Sequence, residues 1–501
     1  MKKAPNILFN STIALVTIVL LNSCFTFDSD SWKISIPEIG LTSSPRPVDL
    51  NNDGVLDLVV GGGGSEFVNT DYGVIAVDGS DGELLWKVGT WNQVVSSPVF
   101  KDITSDGTPD VFIGGRSAIF MAIDGSNGNV IWQYLSYQPE MDLINDTSYL
   151  NFYTPQFVED VDADGHDDLL VSFGGFFKAG TGDPERPSGQ LMLISSRSGE
   201  VLRKLQMPDG KETYMSPIIY DFQKNNKPDI IIGTGGESLP GELFRIKYED
   251  LLAEKLSDTI SLAVGHDKGF IAPPVLADIN ADGVLDIIAN SVDGRMISLD
   301  GKTNKTIWEV SLGDGFEVYT MPAPGNFTGD DTPDFYGSFG KGVWPDSEFI
   351  AHIIVDGKDG KVVFSDSVGF FQYASPIVYD LTKNGIDEVI IVNNDAKKVT
   401  EGMDLTLYRN EVLILDVLKK DFQVLLGPFH GSNLGSTPLI TDLDHDGFID
   451  IIYSFMEDPG NFYSFKETRM ERMELQVIKK DSIIWGTYMG SNYDGIYIPL
   501  D

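Results

Sequence analysis

The sequence predicts an all-β protein, an eight-bladed β-propeller of four-stranded antiparallel blades with an acidic loop between the first two strands of each blade. Three observations predict it. One nine-residue acidic pattern recurs eight times, about once every 56 residues, which is the span of one supersecondary unit rather than of a domain. Short Val- and Ile-rich runs bounded by Gly or Pro flank most copies, as buried strands do. A hairpin with an Asp-Gly or Asn-Gly turn then follows several of them, supplying two more strands. Eight units of four strands, A to D, close into a ring that leaves only short sheet edges.

The acidic copies are DLNNDGVLD from Asp49, DITSDGTPD from Asp102, DVDADGHDD from Asp160, DFQKNNKPD from Asp221, DINADGVLD from Asp278, NFTGDDTPD from Asn326, DLTKNGIDE from Asp380 and DLDHDGFID from Asp442. Apolar runs precede most of them after Ser-Pro, Thr-Pro or Pro-Pro, as in SSPVF, APPVLA and STPLIT. Further runs follow, as in LDLVVGG and IDIIYS. These are strands A and B. Strands C and D come from hairpins such as IAVDGSDGELLW ending at Trp86, and its counterparts ending at Trp132, Trp308 and Phe364. Residues 194–203 and 415–424 keep the spacing without the tryptophan. Trp86, Trp132, Trp308 and Trp485 are expected to pack between blades. Both Asp30 to Ser35 and Asp481 to Trp485 match the end of a D strand, so either terminus can complete the last blade.

Composition excludes several classes. The 501 residues carry 36 Lys plus Arg against 75 Asp plus Glu, a net charge of −39. No basic stripe offsets that charge, so nucleic acid is not an expected partner. Hydrophobic residues at 42% and aromatics at 11% can bury a large core, which argues against disorder. The single cysteine permits no intrachain disulfide and no CxxC metal site. It stands at Cys24, after Lys2, Lys3 and an apolar stretch from Ile7 to Leu21. That stretch is too short for a confident membrane span and has the flanks of a signal peptide. Leu21-Asn22-Ser23-Cys24 resembles the lipobox of bacterial lipoproteins. The resemblance implies a signal peptide over 1–23, a lipidated Cys24 with a short tether over 24–31, and one propeller domain over 32–501. Acyl chains at about 0.8 kcal/mol per buried CH₂ would hold such a body to the bacterial envelope, expected to be the outer membrane, through the lipid alone.

The acidic loops have the chemistry of a hard-cation site. Oxygens at positions 1, 3 and 5 converge on one concavity, Gly at 6 allows the sharp turn, and a carboxylate at 9 completes the shell, which suits Ca²⁺. Asx-rich turns without metal share the composition. Two loops have full carboxylate sets: Asp160, Asp162, Asp164, Asp168, and Asp442, Asp444, Asp446, Asp450. Three more carry one amide or hydroxyl: Asp49, Asn51, Asp53, Asp57; Asp102, Thr104, Asp106, Asp110; and Asp278, Asn280, Asp282, Asp286. About five structural calcium ions are therefore expected, at the weak affinities of extracellular modules. The loops from Asn326 and Asp380 depart from the pattern, and lysines interrupt the loop from Asp221, which reads as an empty turn.

These loops resemble FG-GAP or VCBS repeats, the kind that builds the integrin α-subunit propeller. The hairpins AVDGSDGELLW and AIDGSNGNVIW resemble the tryptophan-docking repeat of PQQ-like propellers. Strand order A to D places the acidic loops and C–D hairpins on one face, and the B–C and D–A connections on the other. Length varies on the second face, including the segments from Trp132, Phe173, Gly235, Leu252, Gly340, Asn393 and Phe455. Uniform loops on one face and varied loops on the other suggest scaffold and function respectively. The insertions carry Tyr134, Tyr137, Phe176, Phe177, Trp344 and Phe462 as candidate contacts for a protein or glycan of the envelope.

The expected function is a calcium-stabilised, membrane-anchored, non-enzymatic binding or assembly module. The resemblances also imply two enzyme alternatives. A polysaccharide lyase of the rhamnogalacturonan type needs a base near a uronate, and the five histidines are scattered. A PQQ-like quinoprotein of the alcohol-oxidising kind uses a vicinal disulfide, which this chain cannot form beyond Cys24.

Overall fold

The computed structural model describes residues 31–499 except 66–67, 135–149, 177–182, 184, 344–345, 399–405 and 480–481. The signal and lipidation readings, with Cys24, fall outside these residues, as do Tyr137, Phe177 and Trp344. The described strands form eight antiparallel sheets. Blade 1 runs Arg46–Val48, Asp57–Gly61, Thr70–Val77 and Leu84–Thr90, each strand paired to the next. Every acidic loop joins an A strand to a B strand, and its ninth residue lies in strand B. Strand B is buried along its whole length in blade 1, which is why it reads as an apolar run without alternation.

Blade 8 decides the ring closure. Its strands Leu439–Thr441, Phe448–Met456 and Glu467–Ile478 are joined by Trp32–Pro37, paired antiparallel from Trp32↔Arg472 to Pro37↔Glu467. The N-terminal segment thus supplies strand D, and the ring is latched by residues more than 400 apart in the chain. Trp32, not Trp485, is the docking tryptophan of this blade. The docking geometry repeats: the indole N–H of Trp32, Trp86, Trp132 and Trp308 donates to the C–D turn of the next blade, at Gly79, Gly125, Ser196 and Gly357, over 2.7–2.8 Å. The turn glycine is required there. Gly128 has φ 75°, and a Cβ on it would stand 2.8 Å from Trp86.

Trp485 has a different place. Residues 482–499 enter the central channel and pair with the exposed edges of inner strands. Val378 N–H donates to Trp485 O, Ile440 N–H to Gly486 O and Leu276 N–H to Gly495 O, each at 2.9 Å. Arg46 Nη2 donates to Tyr488 O at 3.2 Å, and Gln156 Nε2 to Tyr493 O at 2.8 Å. An inner strand has an unpaired edge facing the channel, and buried backbone groups need partners. The tail supplies them in blades 5, 7 and 8, takes side-chain bonds from blades 1 and 3, and plugs the axis.

Several insertions are extended hairpins. Strands B and C run Asp334–Val343 and Asp346–Val355 in blade 6, and Glu388–Lys398 and Thr406–Asp416 in blade 7. The expected insertion from Leu252 is corrected. Helix Tyr248–Leu252 and the residues up to Ile260 join strands C and D of blade 4, so this length lies on the acidic-loop face.

Blade 6 also buries His352, fully enclosed. Its Nδ1 accepts from the Tyr336 hydroxyl and its Nε2 donates to Val368 O at 3.0 Å, which sets a neutral imidazole. Burial lowers its pKa to about 4. The unfolded chain takes up that proton near pH 6.5, so stability is lost as pH falls from about 6.5 to 4, by about 3 kcal/mol. Buried carboxylates titrate with the opposite sign, so the imidazole is isolated by difference. Denaturant unfolding at pH 7 and pH 4 should show His352→Gln losing about 3 kcal/mol less than the parent across that interval.

Candidate functional site: acidic loops on one face, an axial funnel on the other

Each acidic loop is first a ladder of Asx turns. In the loop from Asp49, Asn52 N–H donates to Asp49 Oδ1 at 2.8 Å, Asp53 N–H to Asn51 Oδ1 at 2.9 Å and Val55 N–H to Asp53 Oδ1 at 2.8 Å. Non-Gly residues sit at positive φ at position 4, among them Asn52, Ser105, Ala163, Ala281 and His445. The ninth residue staples the blade together. Asp57 accepts from Leu50 N–H at 2.8 Å and from Gly79 N–H of the C–D turn at 3.1 Å. Asp110, Asp286 and Asp334 repeat this with Gly125, Gly301 and Gly357. Burial pushes Asp57, Asp286 and Asp334 up to about 6, whereas the Gly165 amide holds Asp160, on the rim of its loop, below the usual carboxylate range.

Two loops bring ligand atoms together within 4.8 Å: Asp160, Asp162 and Asp168, and Asp442, Asp444 and Asp446. The blade 3 loop fits a cation best. Its C–D turn has Ser196 where blades 1, 2, 5 and 6 have Gly, and Asp168 Oδ1 is buried without a hydrogen bond, the Ser196 amide acting on the carboxylate only from longer range. In blade 8 protein cations already stand among the carboxylates. Arg472 pairs with Asp444 and Asp450, and Lys479 with Asp442 at 3.3 Å. In the loop from Asp221, Asp229 is claimed by Arg245 at 2.6 Å.

On the opposite face the eight D–A connections converge around the axis on a cavity of about 870 Å³, with Tyr488 of the tail at its floor. Each connection ends in a Pro-containing turn into strand A, and the residue before that Pro carries a hydroxyl in six cases. These residues link neighbouring blades. Ser44 N–H donates to Ser97 Oγ, Ser97 N–H to Thr154 Oγ1 and Thr154 N–H to Ser216 Oγ, at 3.0–3.2 Å. Met321 N–H donates to Ser375 Oγ, Ser375 N–H to Thr437 Oγ1 and Thr437 N–H to Ser44 Oγ, at 3.0–3.3 Å. The girdle breaks at blade 5, where Pro273 has neither hydroxyl nor N–H.

Just above the girdle, Tyr153, Tyr214, Tyr319 and Tyr373 line the cavity, all half-buried. Two are tied to buried glutamates two residues earlier. Tyr214 donates to Glu212 at 3.0 Å and Tyr319 to Glu317 at 2.7 Å. Arg186 neutralises Glu212 at 2.6 Å, and Lys268 neutralises Glu317. Burial raises all four tyrosine hydroxyls above their usual range, so they are neutral phenols at pH 7.

Of the six aromatics singled out in the sequence, Phe176 lines this cavity. Tyr134 instead packs on Phe152 with ring centroids 4.9 Å apart, and Phe462 is 5% exposed among Phe370, Phe371 and Tyr408. Both brace their connections, Phe462 as a buried residue and Tyr134 as a half-buried one. Sequence reasoning missed the four tyrosines. Their signal was an aromatic at a near-constant offset before Ser-Pro, Thr-Pro or Met-Pro, visible once the D–A connections are stacked.

A family model described as outer membrane protein assembly factor BamB, of the PQQ-like repeat type, matches residues 32–214. That stretch is BamB-like. No curated protein matches the chain. Similar solved structures include a quinohemoprotein alcohol dehydrogenase from Comamonas testosteroni, at 12% identity and TM-score 0.55 over 91% of this chain and 77% of that one. A rhamnogalacturonan lyase from Bacillus licheniformis gives 12% and 0.52 over 91% and 74%. Sqt1 from Saccharomyces cerevisiae gives 10% and 0.54 over 88% and 98%. At such identities the likeness is one of fold.

Proposed function

We propose that this protein is a calcium-stabilised binding or assembly module of the bacterial envelope, held by a lipid on Cys24 and non-enzymatic, that meets an envelope protein or glycan on its B–C and D–A face. One observation carries the reading: the working cavity is built by one position from each of the eight repeats, on the face where connections vary, with the plugged axis beneath it. The BamB-like stretch supports an assembly role. Among described residues no helix is long and apolar enough to cross a membrane.

The lyase alternative rests on the fold shared with the rhamnogalacturonan lyase. Against it, the cavity tyrosines are held protonated, Lys268 is paired with Glu317, and none of the five histidines lines the cavity. The test is a pulldown from envelope extract in calcium, beside a glycan array and an absorbance assay for unsaturated uronates. Recovery of one envelope protein or one glycan class with silent absorbance supports the module. Rising absorbance makes the protein a lyase.

Calcium is assigned to the five loops beginning at Asp49, Asp102, Asp160, Asp278 and Asp442, with Asp160, Asp162 and Asp168 as the best-formed set. A site filled at tenfold excess over its Kd stabilises by about 1.4 kcal/mol. Chelation should therefore lower Tm, and Asp162→Ala should remove one calcium and shrink that response. An unchanged Tm on chelation would make the loops plain Asx turns.

A further inference from the structure

The ends of the closing strand fix where the chain before it leaves the propeller. Trp32 stands at the acidic-loop end. Its indole donates to Gly79 O of the blade 1 C–D turn at 2.8 Å, and a Cβ on Gly82 of that turn would stand 2.7 Å from the ring. One residue earlier, Ser31 Oγ accepts from Glu474 N–H at 3.4 Å. From there the strand runs toward the other face, where Pro37 pairs with Glu467 and Glu38 N–H donates to Lys466 O at 2.6 Å. The chain leading back to Cys24 therefore joins the body beside the acidic loops and not beside the funnel.

Distance then decides which face can meet an anchoring leaflet. Cys24 and Ser31 are so close in the chain that a fully extended tether between them spans at most about 25 Å. The funnel face is not level. Strands B and C of blade 7 run Glu388–Lys398 and Thr406–Asp416, and at about 3.3 Å per residue they raise their tip about 35 Å above the acidic-loop end. Laying the funnel on the leaflet would require the tether to cover that height, which exceeds its reach. Charge does not reverse the posture. An anionic leaflet repels the acidic loops, but salt screens that repulsion over about 8 Å, well inside the length of the tether. The loops can ride clear of the head groups without the body turning over.

We infer that the propeller hangs from its lipid with the acidic-loop face toward the anchoring leaflet and the funnel opening away from it. The funnel then takes its partner from the aqueous side and does not rest on the head groups of its own leaflet. This rests on the lipid-anchor reading of Cys24 and adds to it the direction from which the partner arrives.

The test is energy transfer in vesicles of phosphatidylethanolamine and phosphatidylglycerol with an acceptor on the head groups, carrying the full-length lipidated protein in calcium. The donor is placed on Leu418→Cys, in the exposed C–D turn of blade 7, or on Lys397→Cys, exposed near the tip of its B–C hairpin. The lipid leaves Cys24 no free thiol to label. The hairpin donor lies about 30 Å further from the leaflet, so its transfer should be at least about twofold weaker. Equal transfer from the two sites, or stronger transfer from Lys397→Cys, would overturn the inference. Inserting about twenty Gly and Ser residues between Asp28 and Ser29 makes a long flexible tether and should bring the two values together. A difference unchanged by the insertion would overturn the tether as its cause. Flotation separates the readings: protein that fails to float with the vesicles overturns the anchor and this inference together, whereas protein that floats with reversed transfer overturns the posture alone.

Discussion

Trp485→Ala should destabilise the protein by about 3–5 kcal/mol, the cost of emptying a buried indole site. The effect is expected although Trp485 belongs to no blade. It is 2% exposed and packs edge-on against Tyr497, with centroids 6.5 Å apart, while its carbonyl accepts from Val378 N–H. Losing the indole leaves a cavity where the tail meets blades 7 and 8, and loosens the segment that satisfies inner-strand N–H groups. Denaturant melts measure the loss directly. A second readout is hydrogen exchange: the amides of Leu276, Val378 and Ile440, bonded to the tail, should lose protection before the blade interiors do. A change below about 1 kcal/mol would show that the channel holds together without its plug.

Arg472→Met should cost about 3–5 kcal/mol, because it strips the buried Asp450 carboxylate of the guanidinium it is paired with. The guanidinium is 2% exposed and joins blade 8 to blade 1. Its Nε donates to Asp450 Oδ1 at 2.8 Å, Nη1 to Gly79 O at 3.0 Å, and Nη2 to Asp444. Gly79 O also accepts from Trp32, so one carbonyl gathers the closing strand, its neighbour and the first blade. Burial already pushes the Asp450 carboxyl up, with Arg472 opposing it. Without the arginine the charge is uncompensated. Arg472→Met combined with Asp450→Leu should recover much of the loss, since replacing a buried pair by apolar groups is often neutral. Equal destabilisation in the single and double variants would mean that the Gly79 and Asp444 bonds, not the buried pair, matter most.

What was legible in the sequence was local and repeated. The acidic nonapeptides, the Ser-Pro starts and the Asp-Gly hairpins each encode a turn within a few residues, and eight copies make the register plain. The reason for the hairpin glycines and tryptophans is likewise local to one interface: Gly128 has no room for a Cβ beside Trp86. Long-range features were hidden. Nothing in Trp32 to Pro37 distinguishes a closing strand from Asp481 to Trp485, and the choice depends on which segment also fits the channel. Residues 482–499 carry Trp485, Tyr488, Tyr493 and Tyr497 among three glycines, a composition that reads as a strand and turns. Their role appears only when the inner strands of the blades present their edges together.

The funnel was obscured for a related reason. Tyr153, Tyr214, Tyr319 and Tyr373 lie far apart in the chain, and each alone is an ordinary aromatic before a strand. Convergence on the axis makes them one surface. Conversely, Phe462 sits in a long insertion and invited a binding role, yet the insertion folds back and uses it as a core residue. Insertion length pointed to the face that carries the cavity but not to the residues that line it.

The most direct test of the central claim, that the varied face works and the acidic-loop face supports it, is one envelope pulldown run with two variants. Tyr463→Ser alters an exposed aromatic at the funnel mouth, and Asp162→Ala alters an acidic loop on the other face. Tyr463→Ser should lose the captured partner while retaining its melting behaviour, and Asp162→Ala should keep the partner while losing calcium. Capture that survives Tyr463→Ser and disappears in Asp162→Ala with the fold intact would contradict the assignment of faces.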